Sequence, residues 1–192
     1  MAEMTKTDVI LVTLSSILLL TLYSEVKQQV EEEEQKAIVA SVKLKNHSPY
    51  IQKRTSIDYT RHDIECLARN VYFEARGEKT VGQFAVAQVT INRVLAKRWG
   101  KSVCKVVYAN KQFSWTTQEK LKSVTLKGKD WETAKLVAKA SLEKGVRVKD
   151  LDKALFYHAD FVNPRWRDDK SRIKEIGAHI FYTQAKGDSI KL

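Results

Sequence analysis

Only two cysteines and four histidines occur among the 192 residues, and their arrangement excludes several chemistries. The chain has no Cys-x-x-Cys pair and no His-Glu-x-x-His, so it lacks the ligand spacing of the common zinc sites and of that class of zinc peptidase or amidase. No metal and no cofactor is expected. A zinc finger, a paired helix-turn-helix pattern and interleaved RNP-type aromatics are also missing, which argues against nucleic acid as the partner. No internal repeat is visible.

The length suits one domain with a good core. Its charge is unevenly spread: residues 1–58 carry 7 Lys/Arg against 8 Asp/Glu, whereas residues 59–192 carry 27 against 15, so the net charge of +11 resides in the second part. A basic domain favours polyanionic surroundings such as nucleic acid, anionic lipid or bacterial envelope polymers. Lysines such as Lys120, Lys122, Lys127 and Lys129 are read as solvating exposed faces.

Val9 to Tyr23 contains no charge, glycine or proline. The run is shorter than the roughly 20 residues of a full bilayer span and has the length of a signal-peptide core. Met1 to Asp8 offers only Lys6 against Glu3 and Asp8, and no Ala-x-Ala follows Tyr23, so an uncleaved anchor fits better than a cleaved signal. Lys6 on one side and Glu31 to Glu34 on the other favour a cytoplasmic amino terminus with the remainder exported. The expected organisation is therefore a membrane anchor or signal-like segment at 1–24, a polar stalk at 25–58 and a folded domain at 59–192. The chain is expected in the cell envelope, membrane-anchored through residues 9–23 or exported, with the domain outside the cytoplasm in the periplasm. Oligomeric state is left open.

Within the domain, Ile64, Leu67, Ala68, Val71, Tyr72 and Ala75 recur at helical spacing, and Glu74 falls at the margin of their stripe. A carboxyl group there, flanked by Val71 and Phe73, is poorly solvated in its charged form. Its pKa is pushed up and a proton stays available near neutral pH. Gly77 ends this helix before Glu78, so Glu78 is the competing carboxylate, better suited to orienting a neighbour or binding an amide. Thr80-Val-Gly-Gln83 has the form of a capping box opening a helix that runs through Phe84, Ala87, Ile91 and Val94 towards Gly100, apolar around much of its circumference and expected at the centre of the core. A further helix is expected from a cap at Asp130 to about Gly145. Ala154 to His158 and His179 to Thr183 read as short strands separated by a Pro164-containing loop.

The blocks Cys66-Leu-Ala-Arg-Asn-Val-Tyr-Phe-Glu-Ala-Arg-Gly-Glu78, Gly82-Gln-Phe-Ala-Val-Ala-Gln-Val-Thr-Ile-Asn-Arg93, Val103-Cys-Lys-Val-Val-Tyr108, Gln112-Phe-Ser-Trp115, Phe156-Tyr-His158, Pro164-Arg-Trp166 and Ile176-Gly-Ala-His-Ile-Phe-Tyr182 occur in this order. Together they resemble the SleB-type cell-wall hydrolases, the spore-cortex-lytic enzymes and their bacterial and phage relatives, over about residues 60–184. The resemblance implies a lysozyme-like, mainly helical α+β domain with a small carboxyl-terminal sheet and a sugar polymer in its groove. It aligns Glu74 with the acidic catalytic position and makes peptidoglycan glycan strands the substrate. Some phage lysins of similar design use a weakly anchored segment to reach the periplasm.

Cleavage of a β-1,4 bond between N-acetylmuramic acid and N-acetylglucosamine needs a proton for the departing oxygen, a role that suits Glu74. A usual glycoside hydrolase also presents a second carboxylate. None announces itself, since Glu119, Asp160, Asp168 and Asp169 read as loop residues. With one carboxyl group the sugar's own 6-hydroxyl closes a 1,6-anhydro ring, which favours a lytic transglycosylase. A muramidase-type hydrolase with an unidentified second acid, or a non-catalytic, membrane-tethered peptidoglycan-binding module, are the alternatives.

Around Glu74, Tyr157 is the expected supporting phenol. Gln112, Phe113, Ser114 and Trp115 offer an aromatic surface with hydrogen-bonding groups for sugar, with Trp115 alternatively filling the core. Ser114 has no base to make it a nucleophile. His158 is a candidate groove contact, and both His158 and His179 are otherwise satisfied structural residues. Cys66 and Cys104 either form a disulfide joining two elements of the site, as export would allow, or remain free buried thiols.

Overall fold

The computed structural model describes residues 18–29, 51–53 and 57–185. The chain divides into two units, Met1–Ser48 and Pro49–Leu192. In the first, residues 18–29 are helical and exposed, including Leu18, Leu19, Leu20 and Tyr23. Positions 9–17 of the apolar segment and 30–50 of the expected stalk lie outside the described residues. Among the described residues, no helix is long and apolar enough to cross a membrane.

The second unit begins with strand β1 (Ile51–Lys53), followed by helices α1 (Arg61–Ala75), α2 (Thr80–Ala96) and α3 (Val103–Val107), a 3-10 turn at Ser114–Thr117, and helices α4 (Glu119–Ser123) and α5 (Lys129–Glu143). Strands β2 (Val146–Val148) and β3 (Phe156–Ala159) lead to a second 3-10 turn at Arg165–Asp169, then to β4 (Lys170–Ile176) and β5 (His179–Gln184). β1 pairs antiparallel with β2, and Ile51 lies opposite Val148. The stretch read as stalk therefore supplies a strand, and the folded unit starts before residue 59. Three residues are too few to show a sequence period, and the pairing comes from nearly 100 positions away.

Helix α1 is fixed at its start by a capping box. Thr60 accepts from the backbone of Asp63 at 3.1 Å, while Oδ2 of Asp63 accepts from the Thr60 amide at 3.0 Å. Oδ1 of Asp63 also accepts from the amide of Cys104 at 3.0 Å. Burial opposes the Asp63 charge, but these donors outweigh it and hold its pKa below the ordinary aspartate value. Cys66 and Cys104 are joined by a disulfide, so α1 and α3 are linked both covalently and through Asp63.

Every residue of α2 from Gly82 to Val94 is buried, as expected of a central helix. Its polar side chains survive burial because the following chain supplies partners. The Gln88 carbonyl accepts from the Val148 amide at 2.6 Å, the Asn92 amide donates to the carbonyls of Leu151 and Ala154 at 2.8 Å each, and Nε of Arg93 donates to the Leu155 carbonyl at 2.8 Å. These bonds set the path from β2 into β3.

Two expected caps differ in detail. Lys79, rather than Thr80, is the N-cap of α2 and makes no side-chain cap bond; Gln83 donates instead to the Glu78 carbonyl at 3.1 Å. Thr80 already lies inside the helix, where its hydroxyl cannot reach the first free amides. The stop comes at Lys97, in the left-handed conformation at φ 55, rather than near Gly100. Helix α5 starts one residue before Asp130 with Gly128 at its cap, which leaves Asp130 and Glu132 as first-turn acids at the positive end of the helix dipole.

The carboxyl-terminal sheet has the order β3-β5-β4, all antiparallel. β4 was not expected: Lys170–Ile176 mixes charges with only two apolar residues and reads as loop. Gly177 and Ala178 make the two-residue turn into β5, with Ile176 opposite His179. The positive φ of Gly177, 59, is what such a turn requires at its first position.

Candidate active site

Glu74 occupies the last turn of α1 and is half-buried, with Phe73 beside it stacked on Trp115 at 4.7 Å between ring centres. Opposite stands β3, whose alternation sends Tyr157 to one face of the sheet and Phe156 and His158 to the other. The Tyr157 hydroxyl donates to Oε2 of Glu74 at 2.9 Å. From α2, the buried guanidinium of Arg93 lies over the rings of Trp99 and Phe113 at 5.3 and 5.2 Å and acts electrostatically on both members of the pair.

Burial raises the pKa of Glu74, and the Tyr157 hydrogen bond and the Arg93 charge pull against it without reversing the shift. Burial also pushes the Tyr157 phenol well above its ordinary value, helped by the charge of Glu74. The phenol therefore remains a donor throughout the working pH range. Burial lowers the pKa of Arg93 against the pull of Tyr157 and Glu74. The result is a carboxyl group that holds a proton more readily than an exposed glutamate, with a neutral donor and a nearby cation to receive its charged form.

Glu78 lies in the loop after α1. Its two oxygens accept from the Ala178 amide at 3.2 and 3.4 Å, and Oε1 stands 3.7 Å from Nδ1 of His179. Among the described residues, no second carboxylate joins the Glu74–Tyr157 pair. Asp63 is committed to Thr60 and Cys104, and Glu119, Asp160, Asp168 and Asp169 are exposed.

The Gln112–Trp115 segment is not the aromatic platform expected. Phe113 and Trp115 are both only 3% exposed, and Nε1 of Trp115 donates to the buried Oδ1 of Asn70 at 3.0 Å. Trp115 fills the core and supports Phe73. Gln112 is half-buried, with its amide on the Asn110 carbonyl at 3.2 Å, and Ser114 is exposed. His158 is also no groove contact. Its ring nitrogens lie 2.8 Å from the Ala159 carbonyl and 3.0 Å from the Tyr182 hydroxyl, and the ring stacks on Tyr182 on the sheet face away from Glu74.

Arg93 is a member of the site that no motif or spacing in the sequence points to. The available signal was a lone cation inside an apolar helix, where a charge survives only with specific partners.

Residues 77–182 match the family profile described as Cell Wall Hydrolase, a segment that begins three residues after Glu74. Over 125 residues the chain is 31% identical to the spore cortex-lytic enzyme of Bacillus cereus, covering 64% of this chain and 45% of that protein. It is 29% identical over 135 residues to the spore cortex-lytic enzyme of Halalkalibacterium halodurans, covering 68% and 38%. The chain thus spans less than half the length of these curated relatives. Among solved structures it is similar to the catalytic domain of the germination-specific lytic transglycosylase SleB from Bacillus anthracis, with a TM-score of 0.53 and 28% identity over 67% of this chain and 100% of that one. The Bacillus cereus SleB catalytic domain gives 0.52 and 28% over 68% and 98%. The lysozyme-like, mainly helical α+β fold implied by the sequence blocks is the fold these comparisons give.

Proposed function

The chain belongs to the cell wall hydrolase family, and from that premise we propose that it is a peptidoglycan-degrading glycosidase acting between N-acetylmuramic acid and N-acetylglucosamine. The observation that carries the reading is the half-buried Glu74, its pKa raised by burial, with the Tyr157 hydroxyl 2.9 Å from its carboxylate. A protonated carboxyl at that position is equipped to give its proton to the glycosidic oxygen as the C1–O4 bond breaks. The carboxylate left behind is received by Tyr157 and by the charge of Arg93.

The reaction proposed is that of a lytic transglycosylase. In the second step the muramoyl 6-hydroxyl attacks C1, its proton passes to Glu74, and a 1,6-anhydro ring closes. The acid is restored and no water is consumed. The commitment of Asp63 and Glu78 to backbone amides supports this over a two-carboxylate hydrolase. Gln112 and Ser114, accessible at the turn that supports Phe73, remain proposed substrate contacts.

The disulfide between Cys66 and Cys104 supports placing the domain outside the cytoplasm, since such bridges persist in oxidising compartments. In this reading residues 9–23 hold the chain at the membrane. The test of the enzymatic reading is Glu74→Gln: purified peptidoglycan releases soluble fragments with the parent protein and none with the variant, while both bind the polymer. Equal release by the two would remove Glu74 and the reading with it.

A further inference from the structure

Glu78 is set into the β4–β5 turn more closely than a surface loop residue requires. Its side chain is 14% exposed, and both oxygens accept from the Ala178 amide. Two glycines make room for it. A Cβ on Gly177 would stand 1.8 Å from Oε2, and one on Gly82 would stand 3.0 Å from the same oxygen. The Gln83 amide holds the Glu78 backbone from the other side. The carboxylate thus pins a turn contributed by a part of the chain 100 residues away.

That turn leads directly to the site. The Ala178 carbonyl accepts from the amide of Asp160 at 2.8 Å, which fixes the end of β3. The next residue, His179, packs its ring edge-on against Tyr157 at 5.2 Å between ring centres, and Tyr157 lies opposite Phe181 in the same pair of strands. Tyr157 in turn holds Glu74. We propose that Glu78 is a positioning residue for the acid at Glu74, acting through the Gly177–Ala178 turn and His179 on the ring of Tyr157. The inference rests on Glu74 being the catalytic acid.

The charged and titratable groups facing each member are few. Glu74 faces Tyr157 from β3 and Arg93 from α2; Tyr157 faces Glu74, Arg93 and His179; His179 faces Glu78, Asp160 and His158. Glu78 is not among the groups acting on Glu74 directly. A change in Glu74 titration on altering Glu78 must therefore travel through Tyr157.

The experiment compares the full chain with E78A, E78Q, H179A, Y157F and the double variant E78A/Y157F on purified glycan strands across pH, with thermal unfolding of each. If Tyr157 is displaced, Glu74 loses the hydrogen bond that favours its charged form, its pKa rises, and the alkaline limb of kcat moves to higher pH. For E78A the expected result is a fall in kcat of about tenfold, KM within about twofold, and an alkaline limb raised by about half a pH unit, as in Y157F. E78Q, which keeps an acceptor for the Ala178 amide, restores both. The double variant behaves as Y157F alone.

An E78A limb at the parental position, or losses in E78A and Y157F that multiply in the double variant, overturns the inference. If E78A is too unstable to assay, H179A carries the same expectation and an unmoved limb there overturns it equally. Failure of the underlying reading looks different: Glu74→Gln would still cleave. Should Glu74→Gln be inactive and Y157F move the limb while E78A does not, only the role of Glu78 falls.

Discussion

The hydroxyl of Tyr157 donates to Oε2 of Glu74 across 2.9 Å, joining two residues 83 positions apart in the chain. The bond closes α1 onto β3 and stabilises the charged form of a carboxyl group whose pKa burial raises.

Tyr157→Phe removes that bond with little change in shape. Once Glu74 has given up its proton, its carboxylate loses its donor, so kcat is expected to fall about 10- to 100-fold with a smaller change in KM. The pKa of Glu74 rises further, and the alkaline limb of the pH profile moves up. Steady-state kinetics across pH checks both effects.

Glu74 also links stability to pH. Its pKa is raised in the folded state, so folding favours its protonated form, and the protein loses stability as pH rises from the ordinary glutamate value of 4.5 through the folded pKa. Glu74→Gln, neutral at every pH, is expected to have a higher Tm than the parent at pH 7 and the same Tm below pH 4. Thermal unfolding at the two pH values reads this directly.

Much of this arrangement was legible in the sequence wherever a period or motif was long. The stripe from Ile64 to Ala75 located α1 and put Glu74 at its margin, and the apolar run from Phe84 to Val94 identified the central helix. Gly77 placed Glu74 on the helix and Glu78 in the loop after it. What was not legible depended on distant partners. Trp115 reads equally as sugar platform or core, and only the Asn70 side chain and the Phe73 ring decide for the core. His158 reads from sequence as either a groove contact or a satisfied structural residue, and the choice rests on its distant partner Tyr182 and on adjacent strand residues facing opposite ways. The strand at Ile51–Lys53 exists only because Val146–Val148 pairs with it.

Trp115→Phe tests the core assignment. It leaves Oδ1 of Asn70 buried without its donor and is expected to cost about 2 kcal/mol of stability, while KM for glycan stays close to the parental value. Urea unfolding and kinetics on the same preparation separate this outcome from loss of a sugar contact.

The disulfide closes a separation of 38 residues. By loop-closure entropy, replacing Cys66 and Cys104 together with serine is expected to cost about 4 kcal/mol. The Asp63 bond to the Cys104 amide remains, so α3 stays docked on α1 in the variant. Chemical denaturation of the parent and the double variant gives the difference.

The central claim is that Glu74 serves first as acid and then as base while the sugar supplies its own nucleophile. Mass spectrometry of peptidoglycan digested in oxygen-18 water tests it most directly. The account predicts 1,6-anhydro ends that carry no solvent oxygen and disappear with Glu74→Gln. Reducing ends labelled with oxygen-18 would contradict it and require a second catalytic group.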